Sequence, residues 1–486
     1  MRIINKTDEK GANLSKTEQK PLGDTVVDAE SEVVVEKKEK TLDEINAMRE
    51  AREAIVSTEE AQEIAEQERI WAEQEKISSQ TEEKIDATTS SPKFEKLPHD
   101  HVYAKYEDID QAQLQKDIED IKKTIGKPVY KDYLHVRKMQ NWSRAFSVSG
   151  FFMMFVVTAL ELSIGLSGFW FWALSIISAV LIGVGNVGHW ANVAHPIMHG
   201  GYDKIPNIPL EFKKSGYARG NRRYLDWLDW IKPEAWEYEH NIMHHYHLSE
   251  DDDPDNVERN MQWLIQSNTP MWLRRIFIYI FAATWKFTYY APNTLRILAN
   301  KERRKNKQEE ITDYEISPFT ENGAKLWKES YLPYGLVRFV GIPLLFIPLG
   351  VEAFWSALTI MLIAEAYANL HSFLVIVPNH SAGDIYQFSE PHKSQGEFYL
   401  RQIMGSVNYN TGSDWIDFLH GFLNYQVEHH LFPNMPLSYY QTMQPLVKEV
   451  CRKHNIEYRQ ESVFKRINMT VDLMVGKTKL LRVDGV

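Results

Sequence analysis

The chain carries two long blocks of apolar residues. Residues 145–160 and 162–202 contain no Asp, Glu, Lys or Arg, and only Glu161 separates them. A helix that crosses a bilayer needs about 20 apolar residues, so this block predicts two spans, at about 145–164 and 168–188. The second block predicts two more, at about 333–351 and 354–378. The pattern therefore predicts an all-α integral membrane protein with about four transmembrane helices in two hairpins.

Basic residues flank the predicted spans on one side of the membrane. They precede the first span and fill the segment between the hairpins, whereas the predicted turns on the other side have none: Arg137, Lys138, Arg144, Lys213, Lys214, Arg219, Arg222, Arg223 and Lys232. Because short loops rich in Lys and Arg stay in the cytosol, we expect both termini and the central segment to be cytosolic. The central and C-terminal segments would then form a cytosolic helical cap.

Three features of the apolar segments need separate interpretation. Residues 272–292 carry Arg274, Arg275 and Lys286, which favours an interfacial helix with snorkelling basic chains over a fifth span. The GxGxxG pattern at 183–188 lies inside a predicted span, so it indicates glycine packing between helices and not a dinucleotide site. Glu365 lies within the last span, where a carboxylate is costly and needs a partner.

Charge and composition divide the chain into two regions. The net charge of −11 and the mean hydropathy of −0.40 suggest an acidic soluble protein, but residues 1–100 hold 25 acidic and 15 basic residues. We therefore predict an acidic, largely disordered tail at 1–98 with a long helix at 41–85, and a membrane domain at 99–486. The one cysteine, Cys451, excludes a disulfide framework and iron–sulfur clusters. The overall acidity argues against a nucleic-acid partner.

Three groups of histidines contain the candidate chemistry. They are HPIMH at 195–199, HNIMHH at 240–245 and QVEHH at 426–430, all beyond span ends on the predicted cytosolic face. Residues four apart share a helix face, so HxxxH aims two imidazoles at one point, and a following histidine can reach a second metal. Seven histidines are too many for one ion and favour two. Pro196 and Asn241 occupy the position of the glutamate in HExxH, which excludes a metalloprotease.

These motifs resemble those of the membrane fatty acid desaturases over roughly residues 130–460. The third motif and its continuation, QVEHHLFPNMPLSYYQTMQPLVKEVCRKHNIEY, resemble the front-end and related acyl-lipid or acyl-CoA enzymes, although Pro196 replaces the aspartate usual in the first motif. The resemblance implies two non-haem iron ions as cofactors and oxygen as co-substrate. It also implies a ligand set, with one further histidine after the last span: His195, His199, His240, His244, His245, His380, His429 and His430. His247 and Gln426 are additional candidates.

The family resemblance implies an oxidoreductase that forms a double bond in a fatty acyl chain. Hydroxylation of a lipid at the same kind of site is the alternative, and a non-enzymatic membrane metal-binding protein is a third hypothesis. The substrate would be a lipid or an acyl-CoA, surrounded by membrane lipids. No cytochrome b5 motif is present, so we expect a separate electron donor, ferredoxin or cytochrome b5 with a reductase, and a bacterial inner membrane over the endoplasmic reticulum. The donor or anionic headgroups could bind the basic residues Lys213, Lys214, Arg222, Arg223, Lys301, Arg303, Arg304, Lys305 and Lys307.

Several other polar residues near the motifs could be structural or could support the ligands. The acidic run Asp251, Asp252, Asp253 and Asp255 is either a solvated loop or a source of acceptors for the N–H groups of ligand imidazoles. We expect His371 to be buried and hydrogen-bonded. His189, His392 and His420 are predicted to be structural or to support the ligands.

Overall fold

Four helices in the structure are long and apolar enough to cross a membrane. The structure is a computed structural model that describes residues 103–312 and 315–483, and the predicted tail and its helix at 41–85 lie outside this part. We call the four helices the first to the fourth span, in chain order: Tyr130–Ile164, Gly168–Met198, Glu321–Leu349 and Val351–Asn379. The described residues are mostly helical, so the prediction of an all-α membrane protein with four spans is confirmed.

The remaining elements pack around one end of the spans. The longer helices there are Gln111–Ile125, Met271–Ala282, Ala291–Lys305, Gln395–Met404, Leu437–Lys453 and Val463–Met474. Shorter α-helices are Arg223–Asp226, Pro233–Tyr238, Val257–Asn260, Gln262–Ile265, Asp414–Leu419 and Gln426–Leu431. Two parallel strand pairs join distant segments: Tyr386–Phe388 with Leu481–Val483, and Asn408–Tyr409 with Gln460–Glu461.

The turn of the first hairpin contains two glycines with positive φ. Gly165 closes the first span with φ of 70° and donates its backbone N–H to the Glu161 carbonyl, and Gly168 opens the second span with φ of 61°. A left-handed residue is a common helix stop, and glycine adopts it without a Cβ clash. The tight turn keeps the two spans antiparallel and in contact along their length.

The GxGxxG segment lies where spans approach closely. A Cβ on Gly185 would stand 2.2 Å from the Ser147 Oγ of the first span, and one on Gly183 would stand 2.5 Å from the Tyr367 ring of the fourth. Larger residues would therefore force the helices apart. The glycines have the packing role that the sequence analysis assigns to them.

The side chain of Glu365 is half-buried, and its carboxylate has three hydrogen-bond donors. It accepts hydrogen bonds from Trp230 Nε1 at 2.7 Å, from Asn369 Nδ2 at 2.8 Å and from the Tyr334 hydroxyl. Trp230 belongs to the segment between the hairpins. Glu365 thus ties the fourth span to this segment, which satisfies its oxygen atoms within the protein.

The prediction of snorkelling basic chains is wrong. Arg274 donates to four backbone carbonyls, Arg275 pairs with Asp472, and Lys286 is buried and pairs with Asp229 at 2.8 Å. Each cation finds acceptors in a distant segment, which stabilises it better than an extended chain reaching for water. The stretch forms the helix Met271–Ala282 and then a π-helical turn, Lys286–Tyr290.

Candidate metal centre

Eight histidines from four segments meet at the end of the spans. The second span passes through a π-helical turn, Trp190–Ala194, and ends with the first motif. The second motif lies in and just after the π-helical turn Glu239–His244, and the third lies in the helix Gln426–Leu431. His380 follows the fourth span directly. Single π-helical turns are frequent at functional sites because the wider turn re-aims side chains.

The imidazoles form two groups that share a border. Group 1 contains His195, His199, His240 and His429, whose nearest nitrogens all lie within 4.8 Å of one another. Group 2 contains His244, His380 and His430. A third set, His245 with His429 and His430, links the two. Each of the eight histidines named from the sequence therefore lies in a set that can hold an ion.

The second motif divides between the groups. His240 belongs to group 1, whereas His244 belongs to group 2 and His245 lies between them. This differs from the expectation that residues four apart aim at one point. The rings of His240 and His244 still lie side by side, with centroids 5.4 Å apart, so the motif lies across the border between the two groups.

Four of the imidazoles are held by hydrogen bonds through Nδ1. The acceptor for His244 is Asp253 Oδ1 at 3.0 Å, and that for His430 is Gln402 Oε1 at 2.9 Å. His380 donates to the Gly405 carbonyl at 2.9 Å, and His429 to the Tyr440 hydroxyl at 3.1 Å. A proton on Nδ1 leaves the Nε2 lone pair free and fixes the ring orientation, as outer partners of metal-binding histidines commonly do.

Several buried imidazole nitrogens have no partner in the described part of the chain. These are Nε2 of His429, Nε2 of His430 and both nitrogens of His245. Native proteins pair almost all buried polar atoms, since an unpaired one is costly. In group 1, His195 Nε2 lies 3.1 Å from both His199 Nε2 and His240 Nε2. Two nitrogens bound at right angles to one ion at about 2.1 Å would lie about 3.0 Å apart, so the arrangement fits a metal ion.

Burial keeps these imidazoles neutral. Burial and then the neighbouring imidazoles lower the pKa well below its ordinary value for His199, His240, His245, His429 and His430. Burial lowers the pKa of His380 to about 3. Neutral imidazole is the form that binds metal, and it suits iron, copper, zinc and nickel. These six rings are therefore suited to bind cations and hold protons poorly.

His244 differs from its neighbours because of Asp253. Burial alone would lower the pKa of His244, but the charge and hydrogen bond of Asp253 raise it overall. The Asp253 carboxylate also accepts from the backbone N–H groups of Ser249 and Asp255, at 3.0 and 2.9 Å. The acidic run is thus a folded loop in which Asp253 orients a histidine, whereas Asp252 is exposed.

Two further candidates have separate positions. His247 donates to Glu250 at 2.9 Å and joins none of the histidine sets. Gln426 lies beside group 2, with its Nε2 2.7 Å from His380 Nε2 and its Oε1 accepting from Asn379 at 3.1 Å. Gln426 therefore contacts the site, and His247 belongs to the surrounding ion-pair network.

Four other histidines singled out from the sequence bond to the backbone or to that network. His371 donates to the Leu419 carbonyl at 2.7 Å, as expected for a buried, hydrogen-bonded group. His189 donates to the Asp226 carbonyl at 2.9 Å, and His420 to the Ile416 carbonyl at 2.8 Å. His392 donates to Glu250 at 3.0 Å.

Sequence reasoning missed the residues that orient the ligands from outside the motifs. Gln402 lies 28 residues before His430 on another helix, and no local pattern singles it out. Tyr440 lies in the continuation of the third motif, but nothing in the sequence indicates that it accepts a hydrogen bond from His429. Trp236 is fully buried and stacks on His240, with ring centroids 4.6 Å apart.

A cavity opens beside the histidines. Its wall contains His195, His240, His244, His380 and Gln426, and the rest is mainly apolar or aromatic: Trp190, Val257, Met261, Phe281, Trp285, Tyr289, Tyr290, Phe373, Ile376, Val377, Leu423 and Met474. Such a lining is typical of sites for apolar ligands with a few polar groups at one point. Members of both histidine groups line this cavity.

Comparison with known proteins gives a consistent assignment. The family model "Fatty acid desaturase" matches residues 168–462. A Delta(5) fatty acid desaturase A of Dictyostelium discoideum is 27% identical over 48% of this chain and 51% of its own length. An NADPH-dependent stearoyl-CoA 9-desaturase of Mycobacterium tuberculosis is 23% identical over 76% of this chain and 80% of its own length. The match spans about half the length of the first relative. The matched family region includes all three histidine motifs and His380, and the chain belongs to the fatty acid desaturase family.

Proposed function

We propose that this protein is an oxygen-dependent fatty acyl desaturase with two iron ions held by histidines. One observation carries the proposal: two adjoining groups of buried or half-buried imidazoles form part of the wall of a mainly apolar cavity. A soluble diiron protein would use carboxylates for this purpose, whereas none of the three sets here contains one.

The ligand assignment follows the two groups. His195, His199, His240 and His429 would hold one ion, and His244, His380 and His430 the other, with His245 between them. Gln426 touches His380 and would complete or orient the second set. When bound, iron with molecular oxygen supplies the oxidising power to cleave an unactivated C–H bond, which side chains lack.

The chain itself provides orientation and exclusion of water. Asp253, Gln402 and Tyr440 keep protons on Nδ1 of their histidines, so the Nε2 lone pairs remain available. Aromatic residues such as Phe373 and Trp285 form an apolar wall that would hold an acyl chain next to the histidines. A chain fixed against this wall meets the oxidant at one segment, which gives a defined double-bond position.

The proposed substrate is an acyl chain carried by a lipid or by CoA. The names of the relatives point to both kinds of carrier: one is a stearoyl-CoA desaturase, and another is an acyl-lipid (8-3)-desaturase. Two hydrogens would leave the chain, and two electrons with two protons would complete the reduction of oxygen to two waters. A separate donor must therefore supply electrons, and we propose ferredoxin or cytochrome b5 with its reductase.

An exposed basic end of the helix Ala291–Lys305 is a suitable place for the donor. Arg304, Lys305 and Lys307 are exposed there. We propose that this end, the histidine groups and both termini face the cytosol, and that the membrane is a bacterial inner membrane. Positive charge near the site would attract an acidic donor and accelerate its encounter.

Two measurements on the purified, iron-reconstituted protein and on its expression host test the proposal. Metal analysis should give two iron ions per chain, and lipid analysis of the host should show new double bonds. Hydroxylated products without new double bonds would support the hydroxylase instead. Unchanged lipids, with iron bound and an active donor supplied, would support a non-enzymatic metal binder.

A further inference from the structure

A second cavity lies at the histidine end of the spans and shares Trp190 with the first. Its wall comes from all four spans, from the segment around Asp226 and from Lys286. Arg144, at its edge, immediately precedes the uncharged run 145–160. The cavity therefore lies at the level where the apolar part of the first span begins.

The wall of this second cavity contains hydrogen-bond donors with no acceptor. Arg338, in the third span, is only 5% exposed, and its Nε and Nη2 have no partner in the described part of the chain. The same holds for Asn186 Nδ2 in the second span. The guanidinium carbon of Arg338 lies 5.9 Å from the centroid of the Tyr334 ring, a contact that gives Nε and Nη2 no oxygen acceptor. Buried guanidinium N–H groups are normally hydrogen-bonded, so these donors are suited to a ligand in the cavity.

The acidic residues in the wall already have their own donors. Asp226 accepts from Arg222 at 2.8 Å, and Asp229 accepts from Lys286 at 2.8 Å. Glu365 accepts from Trp230, Asn369 and Tyr334. The formal charges of the wall cancel, but none of these carboxylates accepts a hydrogen bond from Arg338 or Arg144. The free N–H groups of Arg338 and Asn186 can therefore donate to an anionic oxygen ligand.

We propose that the second cavity binds the phosphate group of a membrane phospholipid. Arg338 and Asn186 would donate to the phosphate oxygens from inside, and the exposed Arg144 would add charge at the entrance. Guanidinium groups match phosphate geometry and are favoured for it. Apolar side chains next to Arg338 face outward, with Leu336 54%, Val337 41% and Val340 43% exposed, so acyl chains of such a lipid have a surface to lie on.

This site is separate from the proposed iron site but close to it. The Trp190 ring, which lines both cavities, stacks parallel to the His195 ring with centroids 6.2 Å apart. The phosphate site uses none of the eight histidines. Its test is therefore a binding measurement, and its result is independent of whether the protein desaturates acyl chains.

Calorimetric titration of the full chain in an uncharged detergent tests the proposal. The probes are dihexanoyl phosphatidylglycerol, dihexanoylglycerol, which lacks the phosphate, and inorganic phosphate. The variants are Arg338→Gln and Arg144→Gln. The matched control is Arg452→Gln, an exposed arginine that pairs with Glu449 within the helix Leu437–Lys453 and does not line the cavity. Gel filtration and bound iron report folding. Since Arg144 is exposed, its variant keeps the test valid even if Arg338→Gln misfolds.

We expect one phosphatidylglycerol per chain, with dihexanoylglycerol at least about tenfold weaker. Each cavity variant should weaken phosphatidylglycerol binding about tenfold, which corresponds to about 1.4 kcal/mol, and Arg452→Gln should leave it unchanged. Equal binding of the two lipids, or wild-type affinity in both cavity variants, would overturn the proposal. Displacement of the lipid by an equal concentration of inorganic phosphate would identify a free anion as the ligand and would also contradict it.

Discussion

The Nε2 atoms of His195 and His240 lie 3.1 Å apart, although 45 residues separate them along the chain. His199 Nε2 lies at the same distance from His195 Nε2. One shared proton can connect only two of these three nitrogens, whereas a cation can bind all three. This relationship makes metal binding the simplest account of the first histidine group.

Replacement of His244 by alanine should abolish activity. The change removes one nitrogen from group 2 without touching a span, so membrane insertion should persist while bound iron falls. Iron content, product formation and membrane fractionation are the measurements. His420→Ala is the matched control, because His420 donates only to its own helical turn. Full product formation by the His244 variant would disprove its role as a ligand.

Asp253→Asn should weaken metal retention by about 10- to 100-fold, a typical effect of removing an outer partner of a metal ligand. Asp253 holds the Nδ1 proton of His244, and an amide cannot replace its charge. The rate of iron loss to a chelator measures the effect. Asp252→Asn changes an exposed neighbour and should retain iron normally. Identical rates in the two variants would show that Asp253 does not orient the ligand.

Filling the first cavity should reduce activity but not iron binding. Ile376 lines that cavity near the end of the fourth span, and Ile376→Trp would take up space needed by an acyl chain. We expect at least about a tenfold loss in kcat/KM, equal to about 1.4 kcal/mol, at normal iron content. Leu370→Trp, a change at a residue 37% exposed on the same span, is the control. Unchanged kcat/KM in Ile376→Trp would place the substrate elsewhere.

Gly185→Ala should destabilise the packing of the first two spans. The new Cβ would stand 2.2 Å from Ser147 Oγ, and overpacking of this kind costs about 1–3 kcal/mol. Thermal unfolding in detergent should show a lower Tm. In Gly341→Ala the nearest atom would be 3.4 Å away, so its Tm should not fall. A Tm equal to wild type in Gly185→Ala would mean that the spans separate at no cost.

Acid should weaken the contact between the helices Gln111–Ile125 and Leu437–Lys453. Despite some burial, hydrogen bonds from Lys453 and His454 lower the pKa of Asp117 to about 2, from 3.8. Because the folded pKa is below the unfolded one, this stabilisation is present above about pH 4 and lost as the pH falls towards 2. Asp117→Asn should therefore lower Tm at pH 5.5 by only about 1–2 °C, since the pair is partly solvated. The difference should vanish near pH 2, and a difference that persists there would exclude this origin.

The histidine motifs could be found from sequence because their spacing is local. His195, His199 and the pair His429 and His430 each lie within one or two helical turns, whereas His380 was named from the family resemblance. The division of His240 and His244 between two groups could not be found, because it depends on where the histidines of the other segments lie. The spans were predictable for the same local reason, since each is one continuous apolar run.

Long-range partners account for what the sequence did not reveal. Lys286 was expected to snorkel, but its partner Asp229 lies 57 residues away. Gln402 lies on a helix outside every motif and still orients His430. The buried Nε and Nη2 of Arg338, which have no hydrogen-bond partner in the described ranges, are visible only once the spans are packed. Pairing across such separations depends on tertiary structure, which local patterns do not encode.

Lipid analysis with localisation of double bonds is the most direct test of the central claim. Fatty acid methyl esters are compared between hosts that express the wild-type chain, the His244→Ala variant and the His420→Ala control, each with an active electron donor. We predict a new double bond at a defined position with the wild type and the control, and none with His244→Ala. Hydroxylated chains without new double bonds, or an unchanged profile from iron-loaded wild-type protein, would contradict the account.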